Sequence, residues 1–211
     1  MAPKARSLFS IGALVCGLAL AGCSQPAELV GQEAPAKTVG PVDVSQVPDT
    51  TVARTDAALN LHNGVYYLGS KPYSGFVQEL YPTGAVKSNA SYYAGRQHGL
   101  TRTFWADGRP HEVRSYRAGL AYGRHTGFWP NGHRKFDFVY ADDKREGSHK
   151  QWYESGNIYC DLNFADDQEV GRQQAWRENG KVYINYAVRD GVRYGLQKSA
   201  LCYTLRDGQL K

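Results

Sequence analysis

From Tyr66 to Tyr203 apolar and polar residues alternate in short runs, such as Leu100 to Trp105 (LTRTFW) and Val182 to Val188 (VYINYAV). Alternation of period two, carried by aromatic and β-branched side chains, predicts half-buried β-strands. No apolar stripe of period 3.6 and useful length interrupts it, so helices are not expected here. The turn signals between the strands recur. Glycines stand at Gly75, Gly99, Gly123, Gly147, Gly171 and Gly195, 24 residues apart each time. Nine residues after each of the first five comes another, at Gly84, Gly108, Gly132, Gly156 and Gly180, preceded by Thr83, Asp107, Asn131, Ser155 and Asn179. Such pairs mark tight turns. A second turn group, Gly95, Gly119, Asp143, Asp167 and Gly191, returns the chain to the next unit.

Each 24-residue unit is therefore a β-hairpin, and repetition decides the architecture. At about 4.8 Å per strand, one unit advances about 10 Å and five units about 50 Å. The predicted fold is all-β: an elongated antiparallel meander of about five and a half hairpin units in a single-layer sheet, stabilised by neighbour-to-neighbour stacking. Residues 64–74 read as the tail of an incomplete unit. Residues 195–211 read as a degenerate cap over the last strand edge, because Thr204 stands where the turn glycine belongs.

Two aromatic columns follow from the period. Tyr81, Trp105, Trp129 and Tyr153 hold one place in four successive units, and Tyr92, Tyr116, Tyr140, Phe164 and Val188 hold another. The first column should form a ladder with rungs about 10 Å apart. Such a ladder could stack on sugar rings or receive the apolar anchors of a protein partner. It could also pack across units and hold the sheet together.

The N-terminal region follows a different pattern. Lys4 and Arg6 precede an apolar stretch from Leu8 to Ala21, too short to span a bilayer as a helix, for which about 20 residues are needed. Residues 1–22 read as a secretory signal. Its end, Leu20-Ala21-Gly22-Cys23, resembles the lipobox of bacterial lipoproteins. That resemblance implies lipidation of Cys23 and attachment to the cell envelope. Ser24, in place of the aspartate that retains lipoproteins in the inner membrane, implies an outer-membrane destination facing the periplasm. From Ser24 to Val65 there is no aromatic residue, while Pro26, Pro35, Pro41 and Pro48 are four of the chain's nine prolines. Residues 23–65 are therefore expected to be a lipidated cysteine and flexible tether spanning on the order of 35 Å, and residues 66–211 the repeat domain.

The units, for example Gly99 to Gly108 (GLTRTFWADG), and the joint Gly95 to Gly99 (GRQHG) resemble the MORN repeat. The resemblance is to the variant in bacterial YwqK-like antitoxins of toxin–antitoxin systems, and covers about residues 66–196. It implies binding to proteins or lipids rather than catalysis, and, for an antitoxin, neutralisation of a partner protein. An apparent lipoprotein signal sets this chain apart from a cytoplasmic antitoxin.

Composition refines this picture only slightly. The 211 residues hold 25 Lys+Arg against 20 Asp+Glu, and removal of residues 1–22 would leave 23 against 20. The excess is too mild to argue for nucleic acid. Residues 75–134 carry eight basic against three acidic residues, whereas residues 135–211 carry twelve of each. An anionic membrane surface or cell-wall polymer would be drawn to the first units.

Candidate chemistry is sparse. His125 and His149 are equivalent residues of adjacent units, about 10 Å apart in a regular sheet, too far to share a zinc ion at about 2 Å each. They are expected to be neutral surface histidines. His98, His111 and His133 fall in joints or just after turns. Asp142-Asp143 and Asp166-Asp167 sit at return turns, where aspartate is routine. Nucleophile-elbow, phosphate-loop and zinc-protease motifs do not occur in the sequence. Neither catalytic residues, nor a metal, nor a cofactor is expected. An oxidising compartment favours a Cys160–Cys202 disulfide, but a regular meander sets the two about 14 Å apart unless the cap folds back. The pairing stays open. The expected function is a non-enzymatic envelope lipoprotein binding a protein partner through its sheet, with an immunity-like role as one case. The alternative is a glycan- or peptidoglycan-binding module using the aromatic ladder and the basic first units.

Overall fold

The computed structural model describes residues 37–197 together with two short strands, Leu205–Arg206 and Gln209–Leu210. The signal segment, Cys23 and Cys202 lie outside the described residues. Ahead of the repeats come β1 (Thr51–Ala53), β2 (Leu59–His62), β3 (Val65–Leu68) and β4 (Lys71–Pro72). The units then follow as β5 (Gly75–Leu80) with β6 (Val86–Tyr93), and β7 (Arg96–Phe104) with β8 (Pro110–Arg117). From the third unit a two-residue strand precedes each hairpin: β9 (Leu120–Ala121) before β10 (Gly123–Phe128) and β11 (Arg134–Ala141), then β12 (Lys144–Arg145) before β13 (Gly147–Trp152) and β14 (Ile158–Ala165). The fifth unit repeats this with β15 (Gln168–Glu169), β16 (Gly171–Trp176) and β17 (Val182–Arg189), and β18 (Val192–Leu196) begins a sixth.

The result is the expected all-β meander: one sheet of fifteen strands in the order β1-β5-β6-β7-β8-β10-β11-β13-β14-β16-β17-β18, with the short strands β9, β12 and β15 on the side. Every hairpin has the same register, including one slip near the turn, as between Glu79 and Leu80 or Ala175 and Trp176. The slip is a bulge made by the turn itself. Trp105 N–H bonds Arg109 O while Gly108 N–H bonds Trp105 O, and Gly108 takes φ 83°, a backbone that a side chain would strain. Asp107 adds a bond from its carboxylate to Arg109 N–H, and Asn131 and Asn179 do the same in their units. At the opposite rim the return turns have two successive left-handed residues, such as Ala94-Gly95 and Asp142-Asp143, the geometry that suits tight hairpins. The acidic pairs are thus turn residues.

Alternation sorts the side chains onto two faces. Val77 lies opposite Ala90 and His125 opposite Phe138, which with Tyr92, Phe164 and Gln173 make the better-buried face. Phe76, Gln78, Asn89, Leu100 and Arg102 fall on the other face.

The tether is where the sequence expectation fails. Residues 24–36 lie outside the described residues, but from Lys37 onward the chain is fixed to the sheet. Lys37 N–H bonds the Glu146 carboxylate between the third and fourth units, and Lys37 Nζ pairs with Asp166. Asp43 O accepts from His98 in the first, and the Thr50 and Phe76 backbones join beside the first hairpin. β1 then pairs with β5, the one parallel pairing in the sheet. Residues 37–50 therefore form a strap running against the direction of the repeats. It needs no aromatic residue because side chains of the sheet hold its backbone at Lys37, Asp43 and Thr50, and Val44 and Val47 line a hollow against Phe76 and Leu100. β2, β3 and β4 form a separate small sheet, tied to the first return turn by Tyr66 N–H to Gly95 O and Gly95 N–H to Tyr73 O. The described residues belong to one compact unit, without a boundary at residue 65. The basic first units are also not where the strap begins, since Lys37 sits beside Asp166 of the fourth unit. β19 (Leu205–Arg206) and β20 (Gln209–Leu210), inside the expected cap, pair with each other.

Candidate functional site

The aromatic ladder lies along the hairpin-turn rim. Tyr81, Trp105, Trp129 and Tyr153 each open a turn and are half-buried. Three of them have their polar tips fixed on the next unit: Tyr81 OH donates to Phe104 O at 2.8 Å, Trp129 Nε1 to Trp152 O at 3.0 Å, and Tyr153 OH to Trp176 O at 3.0 Å. Trp105 is the exception, its Nε1 buried with no acceptor. The column packs across units, as the structural alternative expects: the tips are latches, while the ring flanks remain partly open. Those flanks are partly covered from within the same hairpin. His111 lies 4.1 Å from Trp105, Lys135 Nζ 4.7 Å from the Trp129 ring, and Tyr159 5.2 Å from Tyr153. Tyr159 is exposed, and burial, with Tyr159 close by, raises the Tyr183 phenol.

A second set of residues holds adjacent units together, and sequence reasoning missed its role. His125 and His149 are 5% and 4% exposed, not on the surface as expected. Each ring nitrogen Nε2 meets a carbonyl of the preceding unit at 2.7 Å: Ser115 O for His125 and Val139 O for His149. Gln173, fully buried at the equivalent position, does the same more completely. Its Oε1 accepts from Asn163 N–H, and its Nε2 donates to Asn163 O and Val170 O. Burial lowers both histidine pKa values, which keeps them neutral as expected. Between them runs an aromatic spine. Tyr116, His125, Tyr140, His149 and Phe164 follow one another at ring separations of 5.6, 4.8, 5.3 and 5.2 Å. The signal available in sequence was the column itself, two residues after each unit glycine and occupied by Val77, Thr101, His125, His149 and Gln173.

The remaining candidates have structural partners. Asp166 and Asp167 are held below the usual carboxylate range by Lys37 and Arg145 respectively. Arg124 and Arg134 both pair with Asp137. Cys160 is buried opposite Ala175, and burial pushes its thiol up to about 11, away from the reactive thiolate. Its pairing with Cys202 falls outside the described residues. Among the described residues no group of three or more His, Cys, Asp or Glu side chains is placed to hold a metal ion.

Among the described residues two surfaces stand out: the rim of aromatic flanks, and the open face on which Val44 and Val47 lie against Phe76 and Leu100. No protein-family model matches the chain, and no curated protein matches it.

Proposed function

We propose that the protein is a non-enzymatic envelope lipoprotein, anchored through Cys23, whose repeat sheet binds a protein partner. One observation carries this reading: the turn-rim aromatics are fixed by backbone latches yet keep their flanks half open, at the same place in successive units. A rigid aromatic anchor loses little conformational freedom on binding, which is what protein-recognition hot spots exploit. An MORN-like scaffold or immunity-like role fits the same surface. Glycan binding, the second reading, has less support, because His111, Lys135 and Tyr159 already lie against the ladder rings on which sugars would stack.

The test is affinity capture from detergent-solubilised envelope using the full-length protein. A stoichiometric protein partner is expected, with capture lost in Tyr159→Ala, which removes an exposed ring but none of the backbone latches. Sedimentation with purified cell wall, unaffected by Tyr159→Ala and without a co-purifying protein, would overturn the reading. Cys23→Ser is expected to leave the protein unlipidated and released from the membrane fraction. Retention of a full-length, membrane-bound Cys23→Ser protein would refute the anchor.

A further inference from the structure

The turn rim between the fourth and fifth units leaves open a place that the preceding seam fills. In the preceding seam His133 crosses from the third unit to the fourth, its Nδ1 on Glu154 O at 2.9 Å. Its ring lies so close to Gly156 that a Cβ there would stand 3.3 Å from it. One unit on, Asn157 takes the place of His133. Its shorter side chain makes the same crossing, Nδ2 to Glu178 O at 3.1 Å, and beyond the chain neighbours nothing lies within 4 Å of the corresponding point at Gly180. The result is a hollow of about 450 Å³, within the size range of small-ligand sites, walled by Asn157, Ile158, Trp176, Glu178, Asn179 and Gly180. Trp176 is not a rung of the ladder, whose place in this unit is held by Arg177.

The wall selects its ligand by what its polar members still have to give. Asn157 uses its Nδ2 on Glu178 O, which leaves its Oδ1 to accept. Asn179 uses its Oδ1 on Lys181 N–H, which leaves its Nδ2 to donate. The exposed Glu178 carboxylate meets no hydrogen-bond or ion-pair partner among the described residues. Trp176 and Ile158 supply the apolar part. An anion is disfavoured, because the one charged group in the wall is a carboxylate. A wholly apolar group would leave all three polar side chains unanswered, and a quaternary ammonium is held by a cage of aromatic rings where this wall has one. A pyranose ring matches the set: one face of C–H groups to lie on the indole, and a rim of hydroxyls that both donate and accept. We propose that this hollow binds a neutral sugar ring, with Trp176 as its platform, Glu178 and Asn157 Oδ1 as acceptors of its hydroxyls and Asn179 Nδ2 as a donor to them. The site stands apart from the protein-partner reading, since Tyr159 is not part of its wall.

The experiment is a titration followed by nuclear magnetic resonance of the indole N–H groups. The chain has four tryptophans, so four such signals, and that of Trp176 is the one missing in Trp176→Phe. Isotope-labelled full-length protein, in a detergent without a sugar head group, is titrated in turn with maltose, cellobiose and diacetylchitobiose. A saturable shift of the Trp176 signal is expected with at least one of them, larger than any shift at Trp105 or Trp129. Glu178→Gln should weaken that binding at least about fivefold. Asn157→His, which places in the hollow the residue that the preceding seam carries there, should abolish it while melting as wild type. No shift with any of the three sugars, or a shift that survives Asn157→His, would overturn the site. A shift with choline chloride and none with a sugar would assign the hollow to cations and overturn it equally. Envelope capture by the Asn157→His protein should match wild type. Sugar binding at Trp176 with no protein captured by either would leave the site and remove the protein-partner reading.

Discussion

The seam between the first two units and the seams that follow solve one problem in two ways. Between β6 and β7 the strands pair from Ser88 to Tyr93, with a single slip between Ala90 and Tyr92, and β7 runs unbroken from Arg96 to Phe104. In each later seam two residue pairs join β8 to β10, β11 to β13 or β14 to β16, and two more join the preceding strand to β9, β12 or β15, so the ladder is interrupted rather than continuous. The strand there breaks ahead of Gly123, Gly147 and Gly171. One carbonyl of the preceding unit then accepts twice: Ser115 O, Val139 O and Asn163 O each take the backbone N–H of Tyr122, Glu146 or Val170 and a side chain from His125, His149 or Gln173. In the first seam that column holds Thr101, whose side chain is too short to span the gap, and the continuous ladder takes its place. Side-chain reach at one position thus accompanies the choice between a paired seam and a stapled one. The stapled seams depend on single buried residues, His125, His149 and Gln173, which makes them the places to break the repeat.

Gln173→Leu should have the largest effect. It removes three bonds and leaves Asn163 N–H, Asn163 O and Val170 O without their side-chain partner in a fully buried site. Because Asn163 O keeps its bond from Val170 N–H, the loss should be about 3 kcal/mol rather than the sum of three full desolvation penalties. Urea denaturation of the mature protein would measure it. A loss under about 1 kcal/mol would mean that the staple is incidental to the seam. Thr101→Val, at the same column of the paired seam, should cost less than a third as much.

His149→Leu should cost about 2 kcal/mol, through the lost bond to Val139 O and the lost stack on Phe138. The histidines also make their seams sensitive to pH. Both folded-state pKa values lie below the ordinary value near 6.5, so below that pH the unfolded chain binds more protons than the folded one. Stability should be level above about pH 7 and should fall as the pH drops through 6.5 toward the folded-state values. His125→Gln with His149→Gln borrows the solution present at residue 173. The double variant should stay folded at pH 7 and flatten the fall in urea midpoint between pH 7 and pH 5. An unchanged fall would assign the acid sensitivity to other groups.

The strap sharpens the comparison at the rim. Glu146, 1% exposed, accepts from Lys37 N–H with one oxygen and from Asp166 N–H with the other, so it ties the strap to a stapled seam. Glu146→Ala should cost about 1 to 2 kcal/mol and speed proteolysis between residues 37 and 43, while cleavage within β5 to β7 stays at the wild-type rate. Equal acceleration in both regions would show that the strap and the sheet open together.

What the sequence made legible was whatever the period carries. Glycine spacing, turn dipeptides and alternation locate the hairpins of the five units but not the one made by β2 and β3, because backbone conformation at Gly108 or Asp142-Asp143 is a local requirement that the period repeats. The ladder was visible for the same reason. The tether was misread because aromatic content stood in for packing, whereas residues 37–53 are held by Glu146, Asp166 and His98 side chains and then by backbone pairing with β5. His125 and His149 were misplaced because a polar residue in an alternating strand reads as solvent-facing. Only the broken ladder beside Ser115 and Val139 gives those rings a buried acceptor.

Trp105 offers the smallest test, and one with the opposite sign. Tyr81, Trp129 and Tyr153 each reach a carbonyl 23 residues ahead, at Phe104, Trp152 and Trp176. The corresponding acceptor for Trp105 is Phe128 O, and the indole does not reach it. Tyrosine is the residue at this column in the first and fourth units, and its hydroxyl spans the same interval there. Trp105→Tyr should gain the missing latch, worth about 1 kcal/mol, and relieve a buried unpaired N–H, against the loss of some apolar area and of the contact with His111. The net change should be a gain of a few tenths to about 1 kcal/mol, read as a higher urea midpoint at unchanged slope. Trp105→Phe, which cannot form the bond, should not share the gain. If Tyr and Phe behave alike, the latches at the turn rim follow from aromatic packing and do not themselves hold one unit to the next.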